Sequence, residues 1–182
     1  MRSLLLILFS ATAVLGQGTI LWDESVNGGF SHDFGNPTSL TPFQLGTNTI
    51  IGMTEVVPTP PNWAGYPDFF TMSVPSNMRV SAIFLTLDKQ NVWTWIGNTG
   101  FSSETAFVGN PTSGELLVEW GLSSIGSGNY GMYLDNHDHQ AVTSIASYRL
   151  DFFVQTIPEP STFALGLAGA AAFLVQRRKK RP

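Results

Sequence analysis

The densest group of potential metal ligands is the run Asp-Asn-His-Asp-His at residues 135–139. If this run is extended, the side chains of His137 and His139 lie on the same face of the strand. Two imidazoles on one face, together with the distant His32, form a donor set that zinc accepts. The run is therefore a candidate metal site that the fold would have to complete.

The same run also offers oxygen ligands. Asp135 and Asp138 carry the carboxylates that calcium prefers, although no EF-hand spacing surrounds them. The competing interpretation is a polar hairpin loop, because Asp-Asn and His-Asp pairs are common in turns. We predict neither a bound metal nor a cofactor, and keep Asp135, His137, Asp138 and His139 as candidate ligands.

Covalent catalysis has no clear starting point in this chain. Cysteine is absent, and neither the Gly-x-Ser-x-Gly nor the His-Glu-x-x-His motif occurs. Glu115 and Glu119 would share one face of a strand about 13 Å apart, which is too far for a retaining glycosidase pair. We predict that the protein is not an enzyme. A metal-dependent hydrolase around His137 and His139 is kept as a third hypothesis only.

Aromatic side chains are the remaining candidates for ligand contact. Trp63 and Tyr66 follow several prolines, and if exposed there they can stack on a sugar ring. Trp93 and Trp95 alternate along a strand and share one face, where we expect them to pack in the core. The sequence thus supports a second hypothesis, a carbohydrate-binding module that uses Trp63 and Tyr66 to bind exopolysaccharide.

The strands that must position these residues are marked by alternation and by turn residues. Gly, Pro, Ser, Thr and Asn interrupt the segment 17–157 roughly every 8–12 residues, a spacing typical of sandwiches and barrels. Strands are predicted at 19–23, 47–54, 68–74, 79–87, 91–96, 115–120, 128–134 and 146–154. We predict an all-β body, a single antiparallel β-sandwich that is jelly-roll-like with about eight strands.

Part of this body resembles a known accessory module. Residues 45–87 contain an Asp-aromatic strand that ends in Val74-Pro75, followed by a turn and an apolar strand. This pattern is similar to the bacterial pre-peptidase C-terminal domain, a β-sandwich on secreted proteins that carries no catalytic residues. The Pro-rich stretch at 58–65 departs from that pattern.

The body is strongly acidic. The whole chain has 9 basic and 13 acidic residues, a net charge of −4. Between residues 17 and 157 only Arg79, Lys89 and Arg149 are basic, against twelve acidic residues, which gives the body a charge of −9. Nucleic-acid binding needs a basic surface, so nucleic acid is excluded as a partner.

The first residues have the composition of a secretory signal peptide. Arg2 precedes an apolar run, and small residues follow up to Gly16. We predict a signal peptide at 1–16 with cleavage after Gly16, or alternatively after Ala13. The competing interpretation is a first buried helix or strand.

The last residues combine three parts in a fixed order. Pro158-Glu159-Pro160 is followed by an uncharged run at 162–175 and a basic cluster at 177–181. Fourteen helical residues rise about 21 Å, against about 30 Å of bilayer hydrocarbon, so the run is short for a permanent anchor. We predict a sorting tail at 158–182 whose membrane helix and stop contain Phe163, Leu165, Leu167, Phe173, Leu174, Arg177, Arg178, Lys179, Lys180 and Arg181.

This ordered combination resembles the PEP-CTERM sorting tail of Gram-negative bacteria. The resemblance implies an exosortase-type transpeptidase as partner, a transient hold in the inner membrane, and cleavage near Pro158-Glu159-Pro160. It also implies delivery to the cell envelope or an extracellular matrix, in bacteria that often make exopolysaccharide and biofilm. The leading hypothesis is therefore an exported, non-enzymatic surface or matrix protein.

Overall fold

The computed structural model describes residues 18–59, 62–137 and 142–157. Within these ranges the chain consists almost entirely of β-strands in two sheets. The predicted signal peptide at 1–16 and the sorting tail at 158–182, with its apolar helix, lie outside the described residues. Among the residues that are described, no helix has the length and apolar character needed to cross a membrane.

The strands are divided between two sheets. The first sheet holds β1 (Thr19–Asp23), β3 (Gly46–Thr59), β4 (Asn62–Tyr66), β6 (Met78–Leu87), β9 (Gly114–Glu115) and β11 (Ser144–Thr156). The second sheet holds β2 (Thr38–Ser39), β5 (Asp68–Val74), β7 (Val92–Asn98), β8 (Glu104–Gly109) and β10 (Gly128–Asn136). Two one-turn helices, α1 (Glu24–Asn27) and α2 (Leu116–Glu119), follow β1 and β9.

The principal strands follow the order of a jelly roll. The first sheet places β3, β11, β6 and β9 side by side, and the second places β5, β10, β7 and β8 side by side. Numbered one to eight along the chain, these strands read 1-8-3-6 and 2-7-4-5, the order expected when an antiparallel ribbon folds over on itself. The predicted all-β sandwich is confirmed. The sheets are nevertheless mixed, because β1 and β2 pair in parallel with β3 and β5.

Side-chain alternation fills the space between the sheets. Along β11 the side chains of Tyr148, Leu150 and Phe152 point inward and are at most 3% exposed. The ring of Phe152 lies 4.8 Å from the ring of Phe43, centroid to centroid. The predicted strand at 146–154 therefore lies within β11, and its apolar face forms the core.

The predicted strand at 115–120 is wrong. Only Gly114–Glu115 is strand, and the chain then turns into α2. The carboxylate of Glu115 caps this helix, since it accepts hydrogen bonds at 3.0 Å from the backbone N–H groups of Leu117 and Val118. Leu117 is buried while Val118 is 74% exposed. Glu115 and Glu119 therefore do not share the face of a strand.

Candidate functional site

The outer face of the second sheet carries a row of four aromatic side chains, Phe69, Tyr133, Trp95 and Phe107. They belong to the neighbouring strands β5, β10, β7 and β8 and stand opposite one another in register. The ring of Tyr133 lies 5.5 Å from Phe69 and 5.7 Å from Trp95. These separations are those of directly interacting aromatic rings, and we refer to the four side chains as the aromatic row.

Strand periodicity explains why the aromatic row faces outward. Phe70, Leu134 and Ile96 are fully buried between the sheets, so the residues directly before or after them in sequence point to the opposite face. The sequence predicted that Trp95 packs in the core, and its side chain is only 6% exposed. It is covered by Tyr133 and by other rings outside the sheet, however, and is not part of the core cluster between the sheets.

Two glycines and one loop complete this aromatic layer. Gly97 and Gly131 stand opposite each other on β7 and β10 and leave space on the sheet. The ring of Phe101 fills it, because a Cβ on Gly131 would lie only 2.8 Å from that ring. Phe101 then stacks on Trp95 with centroids 5.2 Å apart. Asn98 supports the loop by accepting a hydrogen bond from the Ser102 backbone N–H at 3.0 Å.

The backbone of this loop is strained at Phe101. Its φ of 54° lies in the left-handed region that non-glycine residues rarely adopt. A hydrogen bond from the Phe101 N–H to the Asn98 carbonyl, 3.0 Å long, holds the turn. The loop thus keeps a large ring on the sheet at a conformational cost of order 1–3 kcal/mol.

Beside this layer runs an open groove of about 450 Å³. Its lining combines aromatic rings with two carboxylates; the lining residues are Phe34, Pro67, Phe69, Trp95, Phe101, Glu104, Tyr133 and Asp135. Burial raises the pKa of Tyr133, and the negative charges of Asp135 and Glu104 raise it further. Tyr133 and both carboxylates line the same groove, which combines flat apolar surfaces with hydrogen-bonding groups.

Two of the candidate metal ligands, Asp135 and His137, lie beside Trp93 at one end of this face. The imidazole of His137 stacks on Trp93, with centroids 3.4 Å apart and planes inclined by 16°. His137 Nε2 lies 2.8 Å from Asp135 Oδ2, and the Nδ1 atom of His32 contacts the Pro67 carbonyl at 3.0 Å. Among the described residues no group of three or more potential ligands could hold a metal. The other two candidates, residues 138 and 139, lie outside the described ranges.

The two aromatic residues predicted to bind sugar lie on the edge strand β4. Tyr66 is 38% exposed and meets the ring of His32 edge-on, with centroids 5.4 Å apart. The backbone of Trp63 pairs with Pro58 on β3, and its side chain is not among those described. The structure therefore places Tyr66 at the surface but does not describe the predicted pair.

A buried acid joins the two sheets. Asp68 Oδ2 accepts a hydrogen bond of 2.9 Å from the Tyr148 hydroxyl of the opposite sheet. Burial raises the pKa of Asp68 to about 8, and the negative charge of Glu24 contributes to this rise. Glu24 accepts hydrogen bonds from the backbone N–H groups of Phe30 and Met53, at 2.7 and 2.6 Å. This cluster was not predicted from the sequence, although Asp68 stands on the same face of β5 as the apolar Phe70 and Met72.

Comparison with known proteins identifies the end of the chain. Residues 156–181 match the PEP-CTERM protein-sorting motif, which confirms the resemblance seen in the sequence. The motif supports export and exosortase-dependent sorting to the cell envelope. Neither a curated protein nor a solved structure matches the chain. The match does not extend to residues 45–87, so the similarity to the pre-peptidase C-terminal domain stays a prediction.

The motif begins where the folded body ends. The last residue of β11 is Thr156, which is also the first residue of the matched segment. Ile157 still donates a backbone hydrogen bond of 2.8 Å to the Asn77 carbonyl. The sorting segment therefore follows the sandwich directly, with no long linker between them.

Proposed function

We propose that this chain is a non-enzymatic protein of the envelope or extracellular matrix of a Gram-negative-type bacterium, delivered there by its C-terminal tail. The observation that carries the proposal is the match of residues 156–181 to the sorting motif. The signal peptide at 1–16 directs export, and the tail then holds the protein in the inner membrane until an exosortase removes it. The folded part that remains is the acidic β-sandwich.

The charge distribution supports this route. The five basic residues at 177–181 stay on the cytoplasmic side of a membrane, so the body before the apolar run lies outside. The apolar run is short for a lasting span, which suits a temporary hold. The acidic body favours solubility after release.

A non-enzymatic role is supported by what the carboxylates do. Glu24 binds backbone N–H groups, and Glu115 caps α2. Asp68 is bonded to a tyrosine inside the sandwich, and Asp151 binds Arg149 with its Oδ2 2.8 Å from Nε. These four groups are engaged in holding the fold together.

Deleting the exosortase of the native host tests the proposal. The protein is then expected to accumulate in the inner-membrane fraction with its tail attached, because nothing cuts the chain between the body and the apolar run. Immunoblots of membrane, surface and medium fractions measure this distribution, and restoring the exosortase gene is the matched control. Unchanged surface levels in the deletion strain would contradict the proposal.

Carbohydrate binding is a second candidate function. The sequence pointed to Trp63 and Tyr66 on β4 as the sugar-binding residues. The observation that favours carbohydrate binding is instead the aromatic row, which begins at Phe69 on the next strand, β5. No observation favours the metal-dependent hydrolase, since the described residues hold no group of three or more potential metal ligands.

A further inference from the structure

We propose that the groove beside the aromatic row is a binding site for a neutral polysaccharide chain. This site lies entirely in the folded body, so its binding does not depend on how the tail is processed. The first support for the proposal is exposure. Phe34 at the groove is 65% exposed and meets the ring of Phe69 edge-on, with centroids 6.3 Å apart, and Phe107 in the row is 40% exposed. Exposed rings that are grouped on one surface mark interaction sites, whereas single ones do not.

The groove has the chemistry that a sugar ring needs. The faces of aromatic rings are electronegative and attract the weakly positive C–H groups of a pyranose face. Glu104 lines the same groove and can accept hydrogen bonds from sugar hydroxyls, while Asp135, whose Oδ2 lies 2.8 Å from His137 Nε2, adds a second carboxylate to the lining. Flat apolar rings with a few polar groups at the side are the usual composition of a ligand site.

The length of the row favours a chain over a single sugar. Four adjacent strands carry one ring each, and three inter-strand spacings amount to about 14 Å. That distance exceeds the width of one pyranose ring. The groove itself is lined by three of the four rings, Phe69, Tyr133 and Trp95, and is open to solvent, so a polymer chain can extend past it towards Phe107.

Charge selects among polysaccharides. The two carboxylates of the groove stand on a body whose net charge is −9. Uronic-acid polymers would therefore be repelled, while a neutral glycan loses nothing by approaching. The acidic surroundings give the site a specificity that aromatic rings alone would not have.

The loop at 98–103 fixes one of the aromatic rings of the groove in place. This loop holds the ring of Phe101 against the sheet even though the Phe101 backbone is strained. The ring fits there because Gly97 and Gly131 have no side chains. The ring of Phe101 stacks on Trp95 and lines the groove together with Phe34.

The test is binding of the full-length chain, kept in a nonionic detergent, to beads carrying cellulose, curdlan or dextran, with alginate as the anionic polymer. Depletion of protein from solution gives the dissociation constant. The unchanged protein is expected to bind at least one of the three neutral glucans and not alginate. No binding to any neutral glucan, or stronger binding to alginate, would overturn the proposal.

Variants locate the site. Phe34→Ala is expected to weaken glucan binding about tenfold, the effect of losing one stacked ring. Tyr133→Phe keeps the ring and removes only its hydroxyl, so it is expected to weaken binding less than Phe34→Ala does. The matched control is Phe84→Ala, which removes a 45% exposed ring on the outer face of the first sheet and is expected to leave binding unchanged.

Two outcomes of this series would count against the groove. Equal losses in Phe34→Ala and Phe84→Ala would mean that the beads capture exposed rings without selectivity. A dimer that Phe34→Ala dissociates, seen by light scattering after gel filtration, would assign the face to a second copy of the chain. Circular dichroism of each variant verifies that the sandwich is intact before binding is measured.

Discussion

Replacing Pro158, Glu159 and Pro160 with alanine is expected to reduce surface-released protein to background. Proline fixes its own φ angle, lacks an N–H group and biases the residue before it away from the helix. Two prolines within four residues of the end of β11 therefore disfavour both strand pairing and helix across this segment, and we expect the exosortase to need such a backbone at its cleavage site. Alanine removes this barrier and the charge of Glu159 together. We expect the variant to stay with the membrane fraction, measured by immunoblotting of cells and medium.

The control for this variant is Glu119→Ala, which changes an exposed carboxylate of the body and leaves the tail intact. It is expected to be released like the unchanged protein. Full release of the triple-alanine variant would contradict the assignment of these three residues as the sorting site. Loss of release in both variants would point to a folding defect of the body instead.

Asp68→Asn is expected to make the stability of the sandwich much less dependent on pH. Burial first, and the charge of Glu24 next, raise the pKa of Asp68 from 3.8 to about 8 in the folded state. The folded state therefore holds a proton that the unfolded state loses above pH 3.8. Its contribution to stability is complete below that pH, declines as the pH rises towards 8, and then levels off.

The slope within this window is at most about 1.4 kcal/mol per pH unit for one such group. Asparagine keeps an acceptor for the Tyr148 hydroxyl but cannot ionise, so Asp68→Asn is expected to be more stable than the unchanged protein at pH 8. The measurement is urea unfolding at pH 5 and pH 8, and Glu119→Gln is the control for a general charge effect. His32 and Asp135 also face this cluster, so the comparison must be made between variants at the same pH. Parallel pH profiles for the two proteins would refute a buried, protonated Asp68.

Much of the fold follows from local alternation in the sequence. The period of two along 146–154 predicted the strand whose inward face forms the core, and 68–74 was predicted with its observed bounds. The strand predicted at 115–120 from alternation is wrong because the apolar residues there fit two patterns. Leu116 and Trp120 stand on the same face of a strand, but they are also four residues apart. That spacing also fits one face of a helix, and the capping hydrogen bonds of Glu115 decided for the helix.

The aromatic row was not predictable from the sequence. Alternation shows that Trp93 and Trp95 share a face of β7, but Val92 and Ile96 on the other face are equally apolar. Which face meets the opposite sheet depends on long-range pairing. The row exists because Tyr133 stands opposite both Phe69 and Trp95, and the register of three strands that are distant in sequence sets that arrangement. The sorting tail, by contrast, is a local motif and could be read directly.

The mass of the C-terminal peptide of the surface-released protein tests the central claim most directly. Intact-mass and peptide mass spectrometry of that form would locate its last residue. If an exosortase sorts the protein through this tail, the surface form ends near Pro158-Glu159-Pro160 and lacks the basic cluster at 177–181. A surface form that still ends at Pro182 would contradict the account.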